Sequence, residues 1–264
     1  MNQKSVASSV KTVPLLACLA LAGCTSADSS SLQDGFKKYV AQQPVESEAI
    51  ADRYLAANPS APDIDQAYYL RGISRMTRGN RAGAIPDLHT AITKTTRADL
   101  RSKAYRALGD MAYDQQQWPD AIKNYQAALD NLTLDAASVT YLNYRMGETL
   151  QCQGEWTRSE PWFARVVAAR NDPTLTDPAL RRMHATGFAI QFGAFQEVAG
   201  AQALAAQLRA AGIAPLITNE TRTDARNEAR IWFLVQSGSY PNWAEALKAR
   251  DGARSKFPAA MIVP

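Results

Sequence analysis

The sequence predicts two folded units of different class: an all-α array of helical repeats, then an α+β domain with an antiparallel sheet covered by helices on one face. Three observations carry that expectation. From residue 32 to residue 173, apolar residues recur at helical spacing and one phrase returns three times. From residue 187 the pattern switches to period two, in short runs separated by amphipathic stretches. Those runs fall in the order βαββαβ within residues 185–264, which implies an antiparallel sheet with its helices on one side.

The N-terminus is a leader. Lys4 and Lys11 precede an apolar run from Val13 to Ala22, which ends in Leu21-Ala22-Gly23-Cys24. As a helix that run reaches roughly 15 Å, half of the roughly 30 Å hydrocarbon core, so it cannot span a bilayer. The ending resembles a bacterial lipobox, which implies cleavage after residue 23 and lipidation of Cys24. Each buried CH₂ contributes about 0.8 kcal/mol, and two or more chains anchor stably. Thr25 stands where an aspartate would resemble an inner-membrane retention signal, so the resemblance implies an outer-membrane lipoprotein facing the periplasm. Residues 24–31 are Ser-rich and read as a flexible tether.

Residues 32–64 read as two helices broken at Pro44, a cap or a degenerate fourth repeat, with Leu32, Phe36, Tyr39 and Val40 on the first and Ile50, Tyr54 and Leu55 on the second. Residues 65–173 hold the repeats. Tyr68-Tyr69-Leu70-Arg71-Gly72, Tyr105-Arg106-Ala107-Leu108-Gly109 and Tyr144-Arg145-Met146-Gly147 place their glycines 37 and then 38 residues apart. In each, a bulky residue (Leu88, Tyr125 or Phe163) follows the glycine by 16. Small-to-large alternation of this kind lets neighbouring helices interlock. The spacing resembles the tetratricopeptide repeat (TPR), with Trp118-Pro119-Asp120-Ala121 opening the second helix of the best-matched copy. The resemblance implies a concave groove along the first helices. By phase it would show Gln66, Tyr69, Ile73, Met76, Lys103, Arg106, Asp110, Tyr113, Tyr144, Glu148 and Gln151, a mixed surface suited to an extended peptide.

Residues 174–184 read as a linker or exit helix. In the C-terminal domain, Phe188 to Phe195 alternates as a strand and Val198 to Ala211 is an amphipathic helix that Gly212 ends. Pro215 to Thr218 is a short strand, Glu220 to Glu228 a charged loop or hairpin tip, and Ile231 to Gln236 a further strand. A helix from Asn242 to Ser255 and a strand from Ala259 to Val263 follow. Two phrases match, Gln191-Phe192-Gly193-Ala194-Phe195 and Gln236-Ser237-Gly238-Ser239-Tyr240, each leading into a helix with Ala-Gln-Ala-Leu or Ala-Glu-Ala-Leu. Together with Met261-Ile262-Val263 they resemble the SPOR (sporulation-related repeat) domain across residues 185–264. That resemblance implies binding of peptidoglycan glycan strands stripped of their stem peptides.

Strand phase gives a face independently. If Phe188, Ile190, Phe192, Ile231, Phe233 and Val235 face the helices, then Gln191, Gly193, Trp232, Leu234 and Gln236 lie on the open side. Glutamine amides both donate and accept hydrogen bonds, Trp232 offers a flat plate to a sugar, and Gly193 lets a ligand approach closely. SPOR domains commonly carry Arg where this chain has Leu234 and Ser where it has Ala194. Arg222, Arg226 or Arg230 could supply the missing charge.

Composition narrows the remaining classes. The formal charge is +4, about +2 once the leader lysines are gone, with no Lys/Arg cluster; nucleic acid is not an expected partner. A βαββαβ RNA-binding module would need paired aromatics with basic neighbours on the open face, and only Trp232 is there. Cys152 is the one cysteine beyond Cys18 and Cys24 and reads as packing. His89 and His184 fall in different regions, and Asp110/Asp114 sit at helical spacing as solvated surface. No cofactor, metal site or catalytic constellation is expected. The reading is a lipid-anchored adaptor, with membrane, glycan and a protein partner as its contacts. The competing one is a TPR scaffold for an outer-membrane complex that does not bind glycan.

Overall fold

The computed structural model describes residues 27–130, 134–223 and 228–264. The leader, Cys24 and Arg226 lie outside the described residues. Among the described residues nine helices come first: α1 (Ala27–Val40), α2 (Pro44–Ala57), α3 (Ile64–Thr77), α4 (Arg81–Lys94), α5 (Ala98–Asp114), α6 (Trp118–Leu129), α7 (Ala136–Gln153), α8 (Trp156–Ala169) and α9 (Pro173–Met183). The C-terminal domain follows as β1 (Phe188–Phe195), α10 (Val198–Ala210), β2 (Leu216–Thr223), β3 (Ala229–Tyr240), α11 (Trp243–Arg254) and β4 (Met261–Val263). The chain is thus a TPR-like helical array followed by an α+β domain. Among the described residues no helix is long and apolar enough to cross a membrane.

The 16-residue offset is the packing rule of the array. A Cβ on Gly72 would lie 2.9 Å from Leu88; on Gly109, 2.6 Å from the Tyr125 ring; on Gly147, 2.7 Å from Phe163. Each glycine is the hole that its partner helix fills, and Leu88, Tyr125 and Phe163 are fully buried. The cap or degenerate fourth repeat expected before the array packs on a glycine as well. Gly35 stands 37 residues before Gly72, and its Cβ would lie 2.6 Å from Leu70 and 3.1 Å from Ile50. The α1–α2 pair is therefore a degenerate fourth repeat. Its first helix begins at Ala27, so residues 27–31 are helical where a tether was expected.

An ion-pair cluster joins α2, α3 and α4. Arg71 grips buried Asp87 bidentately through the Nε–Nη2 edge of its guanidinium (2.9 and 2.6 Å), and Arg75 bridges Asp87 (2.7 Å) and Glu48 (2.9 Å). Burial pushes the Glu48 carboxyl up, but hydrogen bonds from Arg75 and Arg78 outweigh it and hold the group below its ordinary 4.5. At the other end the stretch expected as a linker or exit helix is a packed helix, α9. Ala179 is buried on it, and Leu175 and Met183 pack on Phe163 and Val166.

The sheet runs in the order β2-β3-β1-β4, antiparallel throughout. Ala201, Ala205 and Leu208 of α10 and Ala246 of α11 pack on Phe188, Ile190, Phe192 and Val235. Asn242 caps α11 by accepting the Glu245 N–H at 3.0 Å, and Gly212 ends α10 with φ +80°. Strand β2 runs to Thr223, five residues past the expected strand end. Glu220 and Arg222 alternate with Thr221 and Thr223 and pair with Trp232 and Arg230 of β3. Charge reads as loop in a sequence, but on a hairpin edge the charged residues simply take the solvent side.

Candidate functional site

The face of the sheet away from α10 and α11 bears a cross-strand pair of glutamines. Gln191 of β1 stands opposite Gln236 of β3, and Gln236 Nε2 reaches Gln191 Oε1 at 3.5 Å. Gln191 Nε2 in turn lies 3.9 Å from the Met261 sulfur of β4. These weak contacts leave most of both amides' hydrogen-bonding capacity open to a ligand.

Leu234 and Thr218 form the next register step on this face, then Trp232 and Glu220. The Arg222 guanidinium carbon lies 5.6 Å from the centre of the Trp232 ring, and its nitrogens bond Glu220 at 2.8 and 3.0 Å. Of the three arginines that could stand in for the missing charge, Arg222 and Arg230 stand opposite each other at the hairpin end of this face. Arg230 pairs with Glu228 at 3.1 Å.

These residues open into a cleft of about 570 Å³. Its sheet side is Gln191, Glu220, Arg222, Leu234, Gln236 and the end of β4; its far side is Tyr144 of α7 with Pro178, Arg181 and Arg182 of α9. The volume lies within the roughly 300–1,000 Å³ of ordinary ligand clefts. Trp232 and Ala194 share the face but not the cleft lining.

Two expectations for this face change. Gly193 is not on it. A bulge between Gln191 and Gly193 advances the phase of β1, so Gly193 pairs with core residue Val235, and a Cβ there would lie 3.0 Å from Leu204 of α10. Its role is close helix packing, and Ala194, opposite Leu234, takes the outward position instead. Leu234 is the second change: it faces the open side but is only 7% exposed, as the floor of the cleft. On the helix side, Ile231 is 55% exposed at the hairpin end and stands outside the domain's core cluster.

Comparison with known families fits this geometry. Residues 185–264 match the SPOR domain. Residues 24–121 match the family YfiO, described as an outer membrane lipoprotein. Among solved structures, Pseudomonas aeruginosa pilF superposes with TM-score 0.50 at 15% identity, over 59% of this chain and 68% of that one. The nearly identical TPR-like repeats of a Podosopora anserina protein superpose with TM-score 0.50 at 16% identity, over 69% and 92%. At these identities the structures show the fold alone. No curated protein matches the chain.

The SPOR domain is docked on the array rather than tethered to it. Trp156 at the start of α8 packs edge-on to Phe188 (4.8 Å between ring centres), and Trp243 of α11 packs on the other side of Phe188 (5.7 Å). Cys152 of α7 is buried against the same SPOR core, and burial pushes its thiol up to about 12. Gly154 is required here: with φ +89° it ends α7, and a Cβ would lie 2.8 Å from the Pro241 carbonyl oxygen.

The groove residues of the array fare differently. Ile73 is 5% exposed and belongs to the core, and Glu148 and Gln151 are buried; none of the three is a groove wall. Tyr69 stacks on Phe36 (6.3 Å). Asp110 accepts from Tyr125 (2.9 Å) and Tyr141 (2.8 Å), and Arg106 lies over the Tyr141 ring (4.1 Å). The hub of this region is Arg145, which the groove reading left out. It lies 3.6 Å over the Tyr113 ring, donates to Tyr125 at 3.2 Å and pairs with Glu148 at 3.2 Å. No local sequence pattern marks it, because its partners come from α5, α6 and α7. Tyr144 is the one residue of the expected groove that lines the cleft.

Proposed function

We propose that this chain is a lipid-anchored adaptor of the bacterial envelope. It is held at the outer membrane through Cys24 and grips peptidoglycan glycan, stripped of its stem peptides, with the open face of its SPOR domain. The cleft carries the reading: two under-used glutamine amides, an apolar floor at Leu234 and cations at its rim suit a chain of hydroxyls, amides and flat sugar faces. The SPOR match supports the ligand, and the lipoprotein match supports the anchor.

The array gives the protein a second contact, with an envelope protein. The part of the groove exposed for it is the Lys103 and Arg106 surface of α5, with Gln66 and Met76 half-buried nearby on α3. Its placement by glycan puts that partner where cell wall is being remodelled, including division septa.

The test is cosedimentation of the intact protein, in detergent, with sacculi before and after amidase removes the stem peptides. Pelleting should rise after amidase and fall with Gln191→Ala or Gln236→Ala. Pelleting that ignores amidase treatment would set the reading aside.

A further inference from the structure

Only one wall of the cleft belongs to the SPOR sheet. The other is Tyr144, Pro178, Arg181 and Arg182 of the array. The two walls belong to docked bodies, joined through Trp156, Phe188 and the Gly154–Pro241 approach.

The three arginines of the lining are not equivalent. Arg182 is committed to the array, pairing with Glu148 at 3.2 Å and donating to the Gln151 side chain at 2.9 Å, while Gln151 donates back to its carbonyl. Arg222 is committed to Glu220. Arg181 is exposed, one residue from the buried network, and among the described residues it makes no hydrogen bond or ion pair. A cation without a partner, in the cleft that holds the Gln191–Gln236 pair, is the opening left for an anion.

We infer that helix α9 is the second half of the glycan site and that Arg181 reads a carboxylate on the sugar chain. The inference rests on the glycan reading of the SPOR face and adds a chemical criterion to it. A stem peptide is joined to its sugar through an amide on a lactyl group. Hydrolysis of that amide leaves a carboxylate in the place of an uncharged bond and removes the bulk of the peptide. A two-walled cleft excludes the peptide by space, and Arg181 rewards the charge that its removal exposes. Tyr144 closes the same wall as an apolar plate with a hydroxyl edge. The array is therefore part of the ligand site as well as a platform for a protein partner.

The experiment uses the intact protein and two preparations of amidase-treated sacculi, one untouched and one with its carboxyl groups reduced to alcohols. The wild type should bind the reduced strands at least about tenfold more weakly. Arg181→Glu should weaken binding to the untouched strands by a similar factor and make the protein indifferent to reduction, with Arg181→Lys restoring part of the difference. Because α9 ends at Met183 and a late glutamate opposes the helix dipole, Arg181→Gln serves as the variant that keeps the helix while removing the charge. If Arg181→Glu and Arg181→Gln bind as the wild type while Gln236→Ala does not, α9 has no part in the site and the SPOR reading stands. If the wild type pellets with neither preparation, both fall.

Discussion

Trp156 Nε1 donates to the Pro241 carbonyl oxygen at 2.6 Å, across 85 residues of sequence. That bond, with the Trp156 ring against Phe188, ties the last repeat to the SPOR domain and holds the two cleft walls in register. Trp156→Phe keeps the aromatic contact and should cost about 1 kcal/mol in urea unfolding. Trp156→Ala also uncovers Phe188 and should cost more, about 2–3 kcal/mol, because the indole is half-buried. Equal stability of the two variants would show that the docking does not depend on this side chain.

Cys152 reports on the same interface. Its thiol is buried between α7 and the SPOR core and held protonated up to about 12, against an ordinary 9.0. The folded state binds the extra proton, so this group's contribution is intact below 9.0 and declines as the pH rises above it. Iodoacetamide labelling, followed on the Cys152 peptide by mass, should stay slow even near pH 9, where a free thiol ionises. Trp156→Ala should accelerate it severalfold at unchanged pH. Rapid labelling of the wild type would mean that the domains separate freely.

Glycine substitutions discriminate the packing rule from helix propensity. Gly→Ala gains about 1 kcal/mol in a helix interior, while overpacking costs about 1–3 kcal/mol. At Gly109 the new Cβ would press on the Tyr125 ring, so Gly109→Ala should be net destabilising, by about 1 kcal/mol, in thermal unfolding. Gly252 of α11 has nothing within 4 Å of its Cβ position, so Gly252→Ala should stabilise by about 0.5–1 kcal/mol. The same sign at both sites would contradict the interlocking of the repeats.

Acid should act on the α2–α3–α4 cluster. The Glu48 carboxyl is held below its ordinary 4.5 in the folded chain, so its stabilisation is complete above about 4.5 and is lost as the pH falls through the lower folded value. The stability gap between wild type and Glu48→Gln should be widest at neutral pH and close below that window. A gap constant with pH would show that the Arg75 and Arg78 bonds do not distinguish the ionised form.

Localisation separates the adaptor from a scaffold that ignores glycan. A fluorescent fusion of the wild type should concentrate at septa, and Trp232→Ala should disperse it without loss of protein. Septal enrichment unchanged in Trp232→Ala would favour the scaffold.

The array was legible because its signal is redundant: one glycine-to-bulky offset recurs, and the three pairs it identifies, Gly72–Leu88, Gly109–Tyr125 and Gly147–Phe163, all interlock. The βαββαβ order and the inward face of β1 were legible from period-two alternation for the same reason. What escaped was whatever a fixed period cannot represent. The bulge at Gln191–Gly193 inserts a residue and turns Gly193 to the core. The second wall of the cleft comes from α9, which is distant in sequence and whose short, proline-containing pattern reads as a linker or exit helix. Arg145 was hidden because its partners come from three different helices, so no local pattern marks it.

The most direct test of the account is calorimetric titration of the intact protein with a soluble, peptide-free glycan oligosaccharide, beside the same titration of Gln191→Ala and Gln236→Ala. Saturable binding by the wild type at one site, weakened at least about tenfold in each variant, is the result the cleft predicts. Equal binding by all three, or heat in none, would contradict it.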